Sequence, residues 1–201
     1  MMRREIPIVF LLSVIAWAFP VTAQSAEQVL GGRLDAPIKL EVFSDFQCPA
    51  CQQFFLDCVR PVLKDYASKD KVCVVYHEFP LPMHQYAREA ARYSLAAQKL
   101  GQQKWQAVVD SIYTNQPKWS LDGSLEAAVF KALSDEDFQT VKKNLQDASL
   151  NKVIDDDVAL GQRRGVRQTP TFFLYYIGKE QRVEGGMPYP VLKDFFDQIV
   201  K

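Results

Sequence analysis

An excess of charge of either sign is missing from this sequence, since 24 basic residues face 24 acidic ones. A nucleic-acid surface or a polybasic membrane anchor needs a surplus of Lys and Arg, so neither is expected. Histidine is nearly absent, with only His77 and His84, and there is no second CxxC pair and no HExxH. Zinc needs four ligands at set spacings, so no metal or other cofactor is expected. The longest apolar run, Ile6 to Phe19, falls short of the roughly 17–25 residues of a spanning helix, which excludes a polytopic membrane protein. Internal repeats and low-complexity tracts are lacking too. What remains is 201 residues, 48% hydrophobic and 24% charged, the composition of one globular domain with room for an insertion.

The first residues differ from the rest. Met1-Met2-Arg3-Arg4 is a basic start, the apolar run follows, and Val21-Thr22-Ala23 supplies small residues before a cut. Residues 1–23 therefore read as a secretory signal peptide, with an uncleaved anchor as the alternative. Export to the periplasm or another extracytoplasmic space matters for the four cysteines, because outside the cytosol a thiol pair persists as a disulfide or performs disulfide chemistry.

Ile38 to Ser44 has the β-branched and aromatic content of a strand, and Cys51, Phe54, Phe55, Cys58, Val59, Val62 and Leu63 then recur at helical spacing. This predicts a helix from Pro49 to Tyr66, kinked at Pro61. Val72 to Phe79 is a second strand, completing a βαβ unit with a parallel pair. Residues 83–164 turn helical. Gly101 ends one helix, Trp105 to Tyr113 stripe a second that Pro117 closes, and Ser124 opens a third. Ser134-Asp135-Glu136-Asp137 resembles a capping box for a fourth, and a fifth stops near Gly161 to Gly165. Thr171 to Ile177 and Gln181 to Glu184 form a hairpin around Gly178, and Val191 to Val200 is a final amphipathic helix. The fold class is α/β.

Chemistry concentrates at Cys48-Pro49-Ala50-Cys51, where a strand gives way to a helix. A thiolate at a helix N-cap faces unpaired amide donors and the positive end of the macrodipole, which lowers its pKa from about 8.5. Cys48 is therefore the expected nucleophile. Cys51 begins the apolar stripe and is expected to be buried, protonated and ready to resolve a mixed disulfide. Zinc or copper on the four sulfurs is the weaker reading, because Cys58 lies two helical turns, about 10 Å, beyond Cys51. Thr169-Pro170-Thr171 places a proline at a strand start; were its bond cis, the backbone of Thr169 would offer substrate an edge beside Cys48.

Two further expectations concern side chains away from this motif. Cys58, seven residues after Cys51, points inward, and Cys73 sits early in the strand to which the helix crosses. The pair is expected to form a structural disulfide in the layer between helix and sheet. His84 is expected at the surface or in a capping role, and Asp155-Asp156-Asp157 on a solvated helix face.

Ser44-Asp45-Phe46-Gln47-Cys48-Pro49-Ala50-Cys51, Phe79-Pro80-Leu81-Pro82-Met83-His84 and Thr169-Pro170-Thr171-Phe172-Phe173 together resemble the DsbA family of extracytoplasmic thiol-disulfide oxidoreductases. The resemblance implies a thioredoxin fold, over residues 24–82 and 165–201, interrupted by an all-helical domain at 83–164. It implies Cys48 as nucleophile, Cys51 as resolving cysteine, Pro170 as a cis-proline and Glu41 as the buried acidic residue below the active site. The active-site dipeptide departs from the best-known members, Pro-Ala standing for Pro-His, so an imidazole that would hold the Cys48 thiolate is absent.

The function expected is that of a monomeric disulfide oxidase. It would pass the Cys48–Cys51 disulfide to reduced or unfolded exported proteins and be regenerated by a membrane quinone-linked thiol oxidase. A reductase or isomerase is the alternative within the same chemistry, although no separate dimerisation module is visible. A non-catalytic peptide- or metal-binding protein is the alternative outside it.

Overall fold

The computed structural model describes residues 28–200. The expected leader at 1–23 lies outside them. A five-stranded sheet runs β1-β3-β2-β4-β5, with β1 at Val29–Gly31, β2 at Ile38–Ser44, β3 at Val72–Glu78, β4 at Thr171–Tyr176 and β5 at Lys179–Glu184. β2 and β3 are parallel, with Ile38 opposite Val72 and Ser44 opposite Glu78, while β4 lies antiparallel on the other side of β2. The sheet's centre is therefore the strand that leads into the cysteine motif. β1, only three residues long and antiparallel to β3, carries too little sequence to be read as a strand.

The helix after β2 is continuous but not uniform. α1 (Pro49–Phe54) passes through a π-helical turn at Phe55–Val59 into α2 (Arg60–Asp65). Pro61 has no N–H to donate and its ring crowds the preceding turn; the wider turn ahead of it absorbs the misfit that the sequence expressed as a kink. Cys51, Phe54, Phe55, Cys58, Val59 and Val62 are buried under this helix. They pack on Ile38, Leu40, Val42, Val72, Val74 and Tyr76, the residues of β2 and β3 that alternate onto one sheet face.

Between β3 and β4 come α3 (Ala87–Gln98), α4 (Gln102–Thr114), α5 (Gln116–Asp122), α6 (Leu125–Phe130), α7 (Asp135–Asn144) and α8 (Ser149–Arg163). Trp105, Val108, Val109, Ile112 and Tyr113 form the buried stripe of α4. The Ser134 hydroxyl accepts from Asp137 N–H at the start of α7. Pro117 does not end a helical stretch; it lies in the first turn of α5, where its missing N–H costs nothing. α9 (Tyr189–Ile199) closes the chain. No helix among the described residues is long and apolar enough to cross a membrane.

α8 runs through Gly161 and ends at Arg163, with Gly165 at φ 74° behind it. A Cβ on Gly161 would fall 2.5 Å from Phe79 Cε2 and 3.0 Å from Phe43 Cδ1. Gly161 thus lets α8 settle on the second sheet face, where Phe43, Phe79, Val166 and Phe173 form a smaller core. Gly161→Ala gains about 1 kcal/mol of helix propensity but overpacks this contact, for which about 1–3 kcal/mol is typical. A net loss of about 1 kcal/mol is expected in denaturant unfolding, and a rise in stability would show that Phe79 can give way.

No disulfide links Cys58 and Cys73, and strand geometry corrects the expectation of one. Cys58 belongs to the core under α1 and α2 together with Val72, Val74 and Tyr76. Cys73 alternates with those residues and so points to the opposite face.

Candidate active site

Cys48 is the N-cap of α1, with extended backbone at φ −74° and ψ 122° and Pro49 directly behind it. Its carbonyl accepts the first helical bond from Gln52 N–H at 3.0 Å. Cys48 is 8% exposed and Cys51 fully buried. A hydrogen bond from the Cys51 thiol, followed by the Cys51 amide, the Thr169 hydroxyl and the Ala50 amide, pulls the Cys48 thiol down to about 5 against the opposing effect of burial. Burial, with the neighbouring Cys48, pushes Cys51 well above the ordinary thiol range. The two sulfurs are thus inequivalent: near neutral pH one is a thiolate and the other a protonated thiol.

The Thr169–Pro170 peptide bond is cis, and the turn it makes brings Thr169 to the sulfurs. The Cys48 thiol meets the Thr169 carbonyl oxygen at 3.5 Å. The Thr169 hydroxyl is buried with no hydrogen-bond partner in the dithiol form, and its proximity favours the ionised form of both cysteines. Thr169→Val keeps the shape and removes that donor. Since a hydrogen bond to a charged group contributes about 1.5–3 kcal/mol and 1.36 kcal/mol corresponds to one pKa unit, the Cys48 pKa should rise by about 1. Thiolate absorbance followed against pH measures it; an unmoved midpoint would remove Thr169 from the site.

The loop before Cys48 is held by Asp45, whose side chain is fully buried. One carboxylate oxygen accepts from Gln47 N–H at 2.7 Å, and the other accepts from Leu81 N–H and pairs with His84 Nδ1, both at 2.7 Å. His84 is therefore part of the site's support rather than a surface or helix-capping residue. Three glutamines fasten the motif to the helices between β3 and β4. Gln116 Nε2 donates to the carbonyls of Phe46 and Cys48, Gln52 Nε2 to that of Tyr113, and Gln47 Nε2 to that of Ser120. Gln47 Oε1 also accepts from Tyr86 N–H. None of these contacts was evident from the sequence.

Glu41 is not brought to the cysteines. It is buried, as expected, but alternation along β2 puts it on the sheet face away from α1. There its carboxylate meets His77 Nε2 at 2.9 Å and accepts from Arg164 Nη1 at 2.5 Å and Tyr175 OH at 2.6 Å. His77 Nδ1 lies 2.8 Å from Asp157 Oδ1, and Asp157 Oδ2 accepts from Gln28 Nε2 and Glu78 N–H. Burial works against the charge on both partners, yet hydrogen bonds from His77 and Tyr175 hold Glu41 down to about 2 and those to Asp157 and Glu41 raise His77 to about 9. The Asp155-Asp156-Asp157 run is accordingly split. Asp155 pairs with Arg88 and Asp156 with Lys152 at the surface, whereas the next 100° step turns Asp157 inward.

A thioredoxin-type sheet, a Cys-X-X-Cys pair at the N-terminus of the helix after its central strand, and a cis-proline loop against the sulfurs define a thiol-disulfide oxidoreductase. The chain belongs to the thioredoxin family, whose family model, described as Thioredoxin, matches residues 24–185. It is 28% identical over 156 residues to a probable disulfide bond formation protein D of Bacillus cereus, a match covering 76% of this chain and 71% of that protein. It is 22% identical over 181 residues to disulfide bond formation protein D of Bacillus subtilis, covering 85% and 76%. Its fold matches that of Wolbachia pipientis α-DsbA1 with a TM-score of 0.71 at 17% identity, over 88% of this chain and 92% of that one. Oxidised BdbD from Bacillus subtilis matches with a TM-score of 0.69 at 22% identity, over 87% and 92%. The fold is DsbA-like.

Proposed function

We propose that the protein is a disulfide oxidase of an extracytoplasmic compartment that transfers a Cys48–Cys51 disulfide to reduced exported proteins. In this reading residues 24–82 and 165–201 are the catalytic thioredoxin part and 83–164 a helical insertion. The observation that carries it is the unequal pair of thiols. Stabilising the Cys48 thiolate stabilises the reduced protein, and a protein whose reduced form is favoured gives its disulfide away. The substrate thiolate attacks Cys48, the better-exposed sulfur, and Cys51 departs toward the core. A second substrate thiolate then attacks the substrate sulfur of the mixed disulfide and releases Cys48, which is a good leaving group because its pKa is low. The names of the Bacillus relatives agree with the direction, and reoxidation falls to a membrane quinone-linked thiol oxidase.

The test is stoichiometric oxidation of a reduced, unfolded ribonuclease by the oxidised protein, with an equilibrium titration against glutathione beside it. Rapid thiol loss from the ribonuclease and a potential well above that of glutathione are expected. A strongly reducing potential, with reduction of disulfides as the faster direction, would make the protein a reductase instead.

A further inference from the structure

The peptide unit that joins Ser44, the last residue of β2, to Asp45 points its N–H at the resolving cysteine. Asp45 N–H donates to Cys51 Sγ at 3.5 Å, and the carbonyl of the same peptide unit, that of Ser44, accepts from Phe79 N–H at 2.8 Å. A peptide group whose oxygen accepts a hydrogen bond is polarised and donates more strongly from its nitrogen. The Asp45 carbonyl accepts in turn from Cys48 N–H at 3.1 Å. The main chain of Asp45 therefore touches both cysteines of the motif without belonging to it.

What fixes this peptide comes from the Phe79-Pro80-Leu81-Pro82-Met83-His84 segment behind β3. Besides Phe79 N–H on the Ser44 carbonyl, Leu81 N–H and His84 Nδ1 both meet Asp45 Oδ2 at 2.7 Å. A carboxylate has no hydrogen to give, so Nδ1 carries one and donates it. Pro80 and Pro82, with fixed φ, stiffen the chain on either side of Leu81, and His84 N–H closes the turn on the Leu81 carbonyl at 3.0 Å. Asp45 has a fully buried side chain, while His84 keeps 21% of its own exposed. The segment thus grips the Ser44–Asp45 peptide by its carbonyl and by the neighbouring carboxylate, and leaves its N–H for the sulfur.

We propose that the Asp45–His84 pair is a positioning device for disulfide exchange, holding the Ser44–Asp45 peptide N–H on Cys51 Sγ so that this sulfur can carry negative charge in the core. When a substrate thiolate attacks Cys48, the Cys48–Cys51 bond breaks and its electron pair goes to Cys51 Sγ. In the opposite direction Cys51 attacks Cys48 in a mixed disulfide, the new bond forms, and the other thiolate leaves. The proton that Cys51 gives up is taken by that departing thiolate, so one thiol is consumed and one released. Both directions pass through a charged Cys51. Cys51 is fully buried and burial holds its thiol well above the ordinary range, so water does not solvate the charge and a donor already in place costs no reorganisation. Asp45 and His84 act through a main-chain group, and the effect falls on the Cys51 step alone. The Cys48 thiol has its own donors in Cys51, Thr169 and the Ala50 amide.

The proposal rests on Cys51 as the resolving thiol, and the test separates the two. The reduced full-length protein is mixed with glutathione disulfide, quenched in acid and analysed by mass spectrometry. The first step, glutathionylation of Cys48, is read apart from the second, displacement of glutathione by Cys51. In His84→Leu the first step should match the parent. The second should slow by about 10-fold, less than the roughly 100- to 1,000-fold cost of deleting an oxyanion donor, because the amide is loosened rather than removed. His84→Asn, whose Nδ2 is bonded to Cγ as the imidazole Nδ1 is, should recover most of that loss. Asp45→Asn, which turns an NH2 toward Leu81 and His84, should slow the second step at least as far as His84→Leu. Hydrogen exchange of the Asp45 amide, followed by nuclear magnetic resonance, should quicken in His84→Leu and return toward the parent in His84→Asn. An unchanged second step in both His84→Leu and Asp45→Asn would overturn the proposal. Equal slowing of both steps, or His84→Asn as slow as His84→Leu, would overturn it too, since either marks a loosened fold rather than a misplaced donor. Glutathionylation of Cys51 ahead of Cys48 would instead overturn the assignment of the resolving thiol.

Discussion

Cys48→Ser should abolish disulfide exchange, whereas Cys51→Ser should leave a protein that captures its substrates and cannot let them go. The difference follows from where the sulfurs sit. Cys48 is the only one of the pair with any exposure, and its thiol is held near 5, so a serine there leaves no sulfur that a substrate can reach. With Cys51 replaced, Cys48 still forms a mixed disulfide, but the buried partner that would displace the substrate is gone. Loss of at least 1,000-fold in turnover is expected for either change, on the order of what removing a catalytic nucleophile costs. Non-reducing gels tell the two apart: covalent adducts accumulate for Cys51→Ser and are absent for Cys48→Ser. Adducts through Cys51 in the Cys48→Ser protein would reverse the assigned roles.

The largest effect on stability is expected at Asp157. Asp157→Ala removes the partner of His77 Nδ1, Gln28 Nε2 and Glu78 N–H together. Leaving buried polar and charged groups uncompensated costs about 3–5 kcal/mol, which lowers Tm by on the order of 10 °C in a chain of this size. The same network fixes the pH dependence. His77 rises from 6.5 to about 9 on folding, so its contribution is complete below pH 6.5 and is lost as pH climbs through 9. Glu41 falls from 4.5 to about 2, so its contribution is complete above pH 4.5 and is lost as pH drops toward 2. Stability from the pair is therefore greatest between pH 4.5 and 6.5. Asp157→Ala should flatten the alkaline limb more than the acid one, since it strips His77 of the stronger of its two carboxylate partners. Equal losses at pH 6 and pH 9 would show that His77 does not carry the charge.

What the sequence made legible was local. A strand, a Cys-X-X-Cys pair and an apolar stripe lie consecutively along the chain, so the direction of the inequality between Cys48 and Cys51 was legible from the helix end and the stripe, whereas the contribution of the distant Thr169 was not. The Glu41–His77–Asp157 network is different in kind. It joins β2, β3 and β4 to α8, with Asp157 80 positions from His77 and Tyr175 134 from Glu41, and each member by itself is an ordinary strand or helix residue. The Cys58–Cys73 expectation shows the same limit within forty residues. β3 is buried along its whole length, so both of its faces are apolar and period-two alternation gives no sign of which face meets the helix. Asp157 was hidden by its neighbours, because a run of three aspartates suggests one environment when a helix assigns three. α5 was hidden by Pro117, whose breaking and starting signals are identical until the following turn is seen.

The glutamine contacts around the motif bear on how this protein can be engineered. Gln116 binds the carbonyl of Cys48 itself, and Gln47 and Gln52 reach the other way into α4 and α5. Trimming the chain to a minimal redox module would strand these carboxamides and expose the loop that aims Cys48. A shortened version would have to supply new acceptors before its cysteines were worth testing. Conversely, the helices offer remote handles on reactivity, for Gln116→Leu alters the seat of Cys48 without touching either sulfur.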